Sequence, residues 1–209
     1  MLIAFKEKLE DRIRHHVIRE YQVDTYSREL ERYQTVNFEV TENFFWTSSE
    51  LVLSYLKHSQ NDPALPPYLF ATLTVRDMLT LFLADNESKL AFVHERYLQF
   101  ASEFKAPKLH VALDKKYRQL SAPIQAAFQD SAVYKKYGMG MVVRRFNSAV
   151  SMMAQNNRAT DKDVLLASMI HMHLNRIFID DSRKQEMMVY YLLYKFLLSE
   201  RGRLKKAIL

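Results

Sequence analysis

Apolar positions recur with a helical period along most of the chain, and one short segment departs from it. In "LIAFKEKLEDRIR", Leu2, Phe5, Leu9 and Ile13 share a face opposite the charges, which predicts a helix over residues 2–14. Residues 16–23, "HVIREYQV", alternate instead, with Val17, Arg19, Tyr21 and Val23 at period two, so a strand is expected there. A lone strand leaves backbone N–H and C=O groups unpaired, so its partner must be another chain or a segment absent from this one.

From about residue 38 the helical period holds to the end. "FEVTENFFWTSSELVLSYLKHS" predicts a helix with Phe44, Phe45, Leu51, Leu53 and Tyr55 on its apolar face. A linker through Asn61-Asp62-Pro63 and Pro66-Pro67 precedes the next helix, "LFATLTVRDMLTLFLA". Asp85 is placed to cap the following one, with Ser88 in its first turn, and Ala106-Pro107 breaks it. A helix in "KLHVALDKKYRQL" is followed by a separate short one that Ser121-Ala-Pro123 opens. Residues 131–157 read as one long amphipathic stretch in which Gly138 and Gly140 mark close helix contact or a local break. Thr160-x-x-Asp163 resembles a capping box, Asp181 is placed to cap the last helix, and Gly202 to end it. The expected fold is therefore mainly α, a helical bundle with a small β remnant near the N-terminus. It is read as one domain over residues 1–209, with 1–33 a helix–strand remnant of an α+β half and 34–209 the bundle.

Composition changes this picture little. A chain of 209 residues is long enough for one sizeable core. Only 3 Gly and 5 Pro argue against an all-β fold. The absence of Cys excludes disulfides, thiolate metal sites and cysteine catalysis together. No apolar run is long enough to span a bilayer, and Lys6 and Glu7 interrupt the N-terminus too early for a signal peptide; a cytoplasmic location is expected. The net charge of +6 favours acidic partners, but it is spread over helices that carry both signs, so no direct nucleic-acid contact is expected.

Chemistry concentrates in "SMIHMHLNRIF", residues 168–178. On a wheel, Val164, Leu165, Leu166, Met169, Ile170, Met172, Leu174, Ile177 and Phe178 cover most of the circumference, which predicts a helix at the centre of a bundle. Ser168, His171 and Asn175 form one polar stripe, while His173 points away from it. Buried polar groups without partners cost about 1–3 kcal/mol each, so the stripe is either a satisfied core network or a working site. His171 and His173 diverge at i and i+2, and no metal site is expected. A second patch, "DTYSRELERY" at residues 24–33, follows the strand. It reads as an exposed charged turn or, through its arginines, as a carboxylate clamp.

Taken together, "VDTYSRELERY", "TENFFWTSSELVLSYL" and "SMIHMHLNRIF" resemble the C-terminal glutamate-elimination domain of lantibiotic dehydratases, found also as thiopeptide-type bacteriocin biosynthesis proteins. Tyr26, Arg28, Glu29, Glu31, Arg32 and Tyr33 match the first block of that pattern. Phe45 with Ser48 or Ser49 fits the second, and His171, Met172, His173, Asn175 and Arg176 match the third. The resemblance implies β-elimination of glutamate from glutamylated Ser or Thr of a ribosomally made precursor peptide, leaving dehydroamino acids; some relatives instead close a pyridine ring by cycloaddition. It implies His171 as acid–base, Arg32 as holder of the departing carboxylate, and Tyr26, Arg28, Asn175 and Arg176 as substrate-binding or supporting residues. It implies no metal or organic cofactor, and as partners the precursor peptide, a glutamylating dehydratase subunit or a missing N-terminal half, and a second copy of the chain as a homo-oligomer. The sequence departs from the family at Gln34 and Thr35, where glycines are usual. It also lacks the Arg-rich strand expected upstream of Met1, which suggests a truncated, split or reduced relative. A non-catalytic module binding the peptide or a partner is the competing reading.

Overall fold

The computed structural model describes residues 2–16, 19–20, 37–59, 65–104, 109–157 and 162–208. The segment read as a strand, the arginine-rich block with Tyr26, Arg28 and Arg32, and the capping box at Thr160 lie wholly or mostly outside those residues. Contacts divide the chain into two compact units, Met1–Leu30 and Glu31–Leu209.

In the first unit, α1 spans Leu2–Arg14 as its periodicity predicts. It closes at His16, which takes a left-handed φ of 56° while its N–H donates to the Ile13 carbonyl. His16, where the strand was expected to begin, is thus a turn.

The second unit is a helical bundle, and among the described residues it contains no strand. Its elements are α2 (Phe38–Ser59), α3 (Pro67–Phe82), α4 (Asn86–Glu103), α5 (Leu109–Gln129), α6 (Val133–Lys136), α7 (Gly140–Asn156), α8 (Lys162–Ile177) and α9 (Ser182–Ile208). The most apolar helix lies at the centre: α3 packs on α5, α7, α8 and α9, and its Phe70, Leu73, Val75 and Met78 are fully buried. Around it α2 pairs with α7 and α4 with α9, while α8 packs on α2, α3 and α9. The starts of three helices follow local chemistry. Asn37 accepts the Glu39 N–H at the start of α2 (3.0 Å), Pro67 opens α3, and Asp85 caps α4 by accepting the Ser88 N–H at 2.7 Å.

Several expectations need correction. Leu53 stands 66% exposed on the outer side of α2 rather than on its apolar face. The two helices expected across Pro123 are one, α5. Leu113, Ile124 and Ala127 are buried on a common stripe that spans the proline. The carbonyl that Pro123 leaves without a helical donor belongs to Gln119, an exposed residue. The stretch 131–157 is two helices, because Gly138 takes a φ of +64°. Its N–H donates to Lys135 and that of Met139 to Tyr134, the paired bonds that end α6. A Cβ on Gly138 would stand 2.7 Å from Nε2 of His58, so any other residue would have to displace a ring held by the Ser54 carbonyl as well as adopt the left-handed conformation. Asp181 precedes α9, but its carboxylate takes Lys184 Nζ at 3.0 Å while its backbone carbonyl accepts the N–H groups of Lys184 and Gln185. Gly202 does not end α9, which continues to Ile208. No described helix is long and apolar enough to cross a membrane.

Candidate functional site

The two histidines of α8 occupy opposite environments. His173 points to the centre and is fully buried against Phe146, with ring centroids 4.9 Å apart. Its Nδ1 lies 2.9 Å from Ser48 Oγ and its Nε2 3.0 Å from Thr74 Oγ1. The Thr74 hydroxyl has its own proton directed to the carbonyls of Phe70 and Ala71. The only arrangement that satisfies every group has Nε2–H donating to Thr74 and Ser48 O–H donating to Nδ1. Burial, reinforced by the charge of Arg176, pushes the His173 pKa down to about 3, so the ring is neutral at physiological pH. His173 is a saturated structural residue with no lone pair or proton to spare.

His171 is part-exposed, its side chain 29% accessible. Its Nδ1 lies 2.7 Å from Oε2 of Glu186 on α9, and its Nε2 3.0 Å from Nδ2 of Asn175 one turn on. Glu186 is only 3% exposed, whereas Asn175 is exposed. The ring therefore has a buried edge held by a carboxylate and an outer edge covered by a movable amide. The polar stripe is not sealed in the core: because α8 packs on α2, α3 and α9, the side bearing Ser168, His171 and Asn175 is its more open one. Val164, expected to help close the apolar circumference, is 54% exposed.

Glu186 is the residue that sequence reasoning missed. The signal was present: Glu186 lies on the same stripe of α9 as Tyr190, Leu193 and Leu197, all buried. An acid in register with a core stripe needs a partner, since an isolated buried charge costs several kcal/mol (roughly, after relaxation). The Tyr190 hydroxyl is raised well above its ordinary range, first by burial and then by the Glu186 charge.

The second motif block meets the third in space. Ser48 holds His173, and Ser49 accepts from Nε of Arg176 at 3.0 Å while donating to the Phe45 carbonyl. The Arg176 guanidinium lies 5.3 Å from the Phe45 ring centroid and also donates to the Met172 carbonyl. The sequence left Ser48 or Ser49 as alternatives; the structure uses both, each for a different residue of α8. Arg176 thereby ties α8 to α2. Tyr26, Arg28 and Arg32 fall outside the described residues, so their relation to His171 is not part of this geometry. Among the described residues, no group of three or more His, Cys, Asp or Glu side chains is arranged to hold a metal ion.

A helical bundle that presents a carboxylate-held imidazole beside a buried one defines a class of site suited to proton transfer. The chain matches the family described as "Lantibiotic biosynthesis dehydratase C-term" over residues 1–197. It belongs to that family. No curated protein and no solved structure matches it.

Proposed function

We propose that this domain eliminates glutamate from glutamylated Ser or Thr residues of a ribosomally made precursor peptide, with His171 as the acid–base group. In that reaction the base takes the Cα proton, the C–H electron pair becomes the Cα=Cβ bond, and the Cβ–O bond breaks with its pair leaving on the glutamate carboxylate. The observation that carries the reading is the contrast within α8: His171 offers an edge reachable from solvent and a carboxylate behind it, whereas His173 is spent on Ser48 and Thr74. A base must reach the proton it removes, and of the two only His171 meets that condition.

The remaining roles follow the family resemblance. Arg32 holds the departing carboxylate, to which a guanidinium binds bidentately; Arg28 and Tyr26 bind the substrate. Asn175 covers the outer imidazole edge, and Arg176 keeps α8 in place on α2. The partners are the precursor peptide and the subunit that glutamylates it, and the cytoplasm is where both are made. The test is mass spectrometry of a glutamylated peptide incubated with the protein, alone and with the glutamylating subunit. Loss of glutamate with formation of dehydroamino acids supports the proposal. Retained peptide binding without glutamate loss under either condition replaces it with the binding-module reading, and a ring-closed product with the cycloaddition reading.

A further inference from the structure

A carboxylate buried in a helical core is costly, and Glu186 stands where Gln, Met or Leu would fill the same stripe of α9. Its surroundings show what it does. Arg183, one turn before it, is committed to Glu103 through Nε at 2.9 Å and a second bond. Tyr190, one turn after it, is buried and neutral. The Glu186 carboxylate acts on the Tyr190 hydroxyl and on the Arg183 charge, and it lies 2.7 Å from Nδ1 of His171. A carboxylate has acceptors only, so the proton in this contact belongs to the imidazole. The neutral ring then carries its hydrogen on Nδ1 and its lone pair on Nε2, and the Asn175 amide donates to that lone pair from the exposed side.

We infer that Glu186 is a positioning residue for the proposed elimination: it fixes the tautomer and orientation of His171 so that Nε2, on the solvent side, is the atom that accepts the substrate proton. The inference rests on the proposed function for its chemistry but not for its geometry. When the peptide enters, its Cα–H takes the place of the Asn175 N–H at Nε2. As the proton transfers, the imidazolium that forms has the Glu186 carboxylate already beside Nδ1, which stabilises it without reorganisation. Two residues further along the same helix, the proton distribution is reversed, because Thr74 and Ser48 hold His173 in the Nε2–H form. The same protein thus contains its own reference ring.

Histidine-selective ¹⁵N labelling reads this directly. With the rings neutral and His171 assigned by the loss of its signals in His171→Gln, the expected result is a protonated Nδ1 and bare Nε2 on His171, and the opposite on His173. Glu186→Gln removes the charge and lets the amide donate instead, so the Nε2–H form of His171 rises while His173 is unchanged. Asn175→Ala leaves the Nδ1–H form in place. A wild-type His171 with its proton on Nε2 overturns the inference, and so does a tautomer that ignores Glu186→Gln or that follows Asn175→Ala. In the peptide assay, Glu186→Gln is expected to lower kcat about a hundredfold with KM little changed; an undiminished kcat also overturns it. If wild-type protein releases no glutamate, the proposed function fails, while the ¹⁵N signals still decide the role of Glu186.

Discussion

His171 and His173 are two residues apart on one helix, and their differences come from what lies across from each. Across from His173 stand Ser48 of α2, Thr74 of α3 and the Phe146 ring of α7, which seal it completely. Across from His171 stands a single buried carboxylate, and its other edge meets the exposed amide of Asn175 one turn on in α8. Identical side chains therefore have different work: one joins three helices through a satisfied polar contact, and the other keeps a basic edge toward solvent. A histidine in an apolar helix is neither a core residue nor a site by its own nature; the neighbouring helices assign it.

The comparison is most sharply broken by substitution. His171→Gln is expected to abolish glutamate release from a glutamylated peptide, a drop of about 10²–10⁴-fold in kcat, with little loss of fold because the amide still donates to the buried Glu186 carboxylate. Measured glutamate release and a thermal melt on the same sample check both halves. His173→Ala should do the reverse. It opens a cavity at Phe146 and leaves Ser48 and Thr74 without their ring, at about 3 kcal/mol in denaturant unfolding. Equal stability losses for the two variants would erase the contrast.

Acid should act through His173 next. Its pKa is about 3 in the folded protein against an ordinary 6.5, so below 6.5 the unfolded chain binds a proton that the folded chain refuses. Stability conferred by the neutral ring is complete above 6.5 and falls as the pH drops toward 3, by about 1.4 kcal/mol per pH unit at most. Between pH 6.5 and 4.5, above the ordinary carboxylate value of Glu103, this is distinguishable from carboxylate protonation. Unfolding free energies across that window should fall more steeply for wild type than for His173→Gln, and matching slopes would remove His173 from the account. The smallest effect concerns the joint between α2 and α7. Gly138→Ala combines a left-handed φ with a Cβ 2.7 Å from His58, and is expected to cost about 1–2 kcal/mol without altering peptide chemistry. An unchanged melting curve would show that His58 moves aside freely.

The helical period and the Asp85 cap were legible because each depends on residues within a turn or two of one another. The errors share a cause. At Pro123 and Gly202 a local breaker was overridden, at Pro123 by an apolar stripe that continues past it. Leu53 was placed on the wrong face because apolar character was read without knowing which side α7 and α8 would cover. At the site, His171, His173, Asn175, Arg176 and the Ser48–Ser49 pair were recognised from their motifs, but Glu186 was not, since no motif carried it and its importance lies across a helix–helix interface.

By itself the sequence determined that this is a helical protein of the lantibiotic dehydratase C-terminal family and that polar residues gather on α8, because period and motif spacing are properties of adjacent residues along one chain. Only the tertiary structure decided which histidine is sealed and which is available, and that an acid from α9 stands behind the available one. Those outcomes depend on hydrogen-bond partners 125 and 99 residues away for His173, and on the next helix for His171, and distance in space is not written in the spacing of residues.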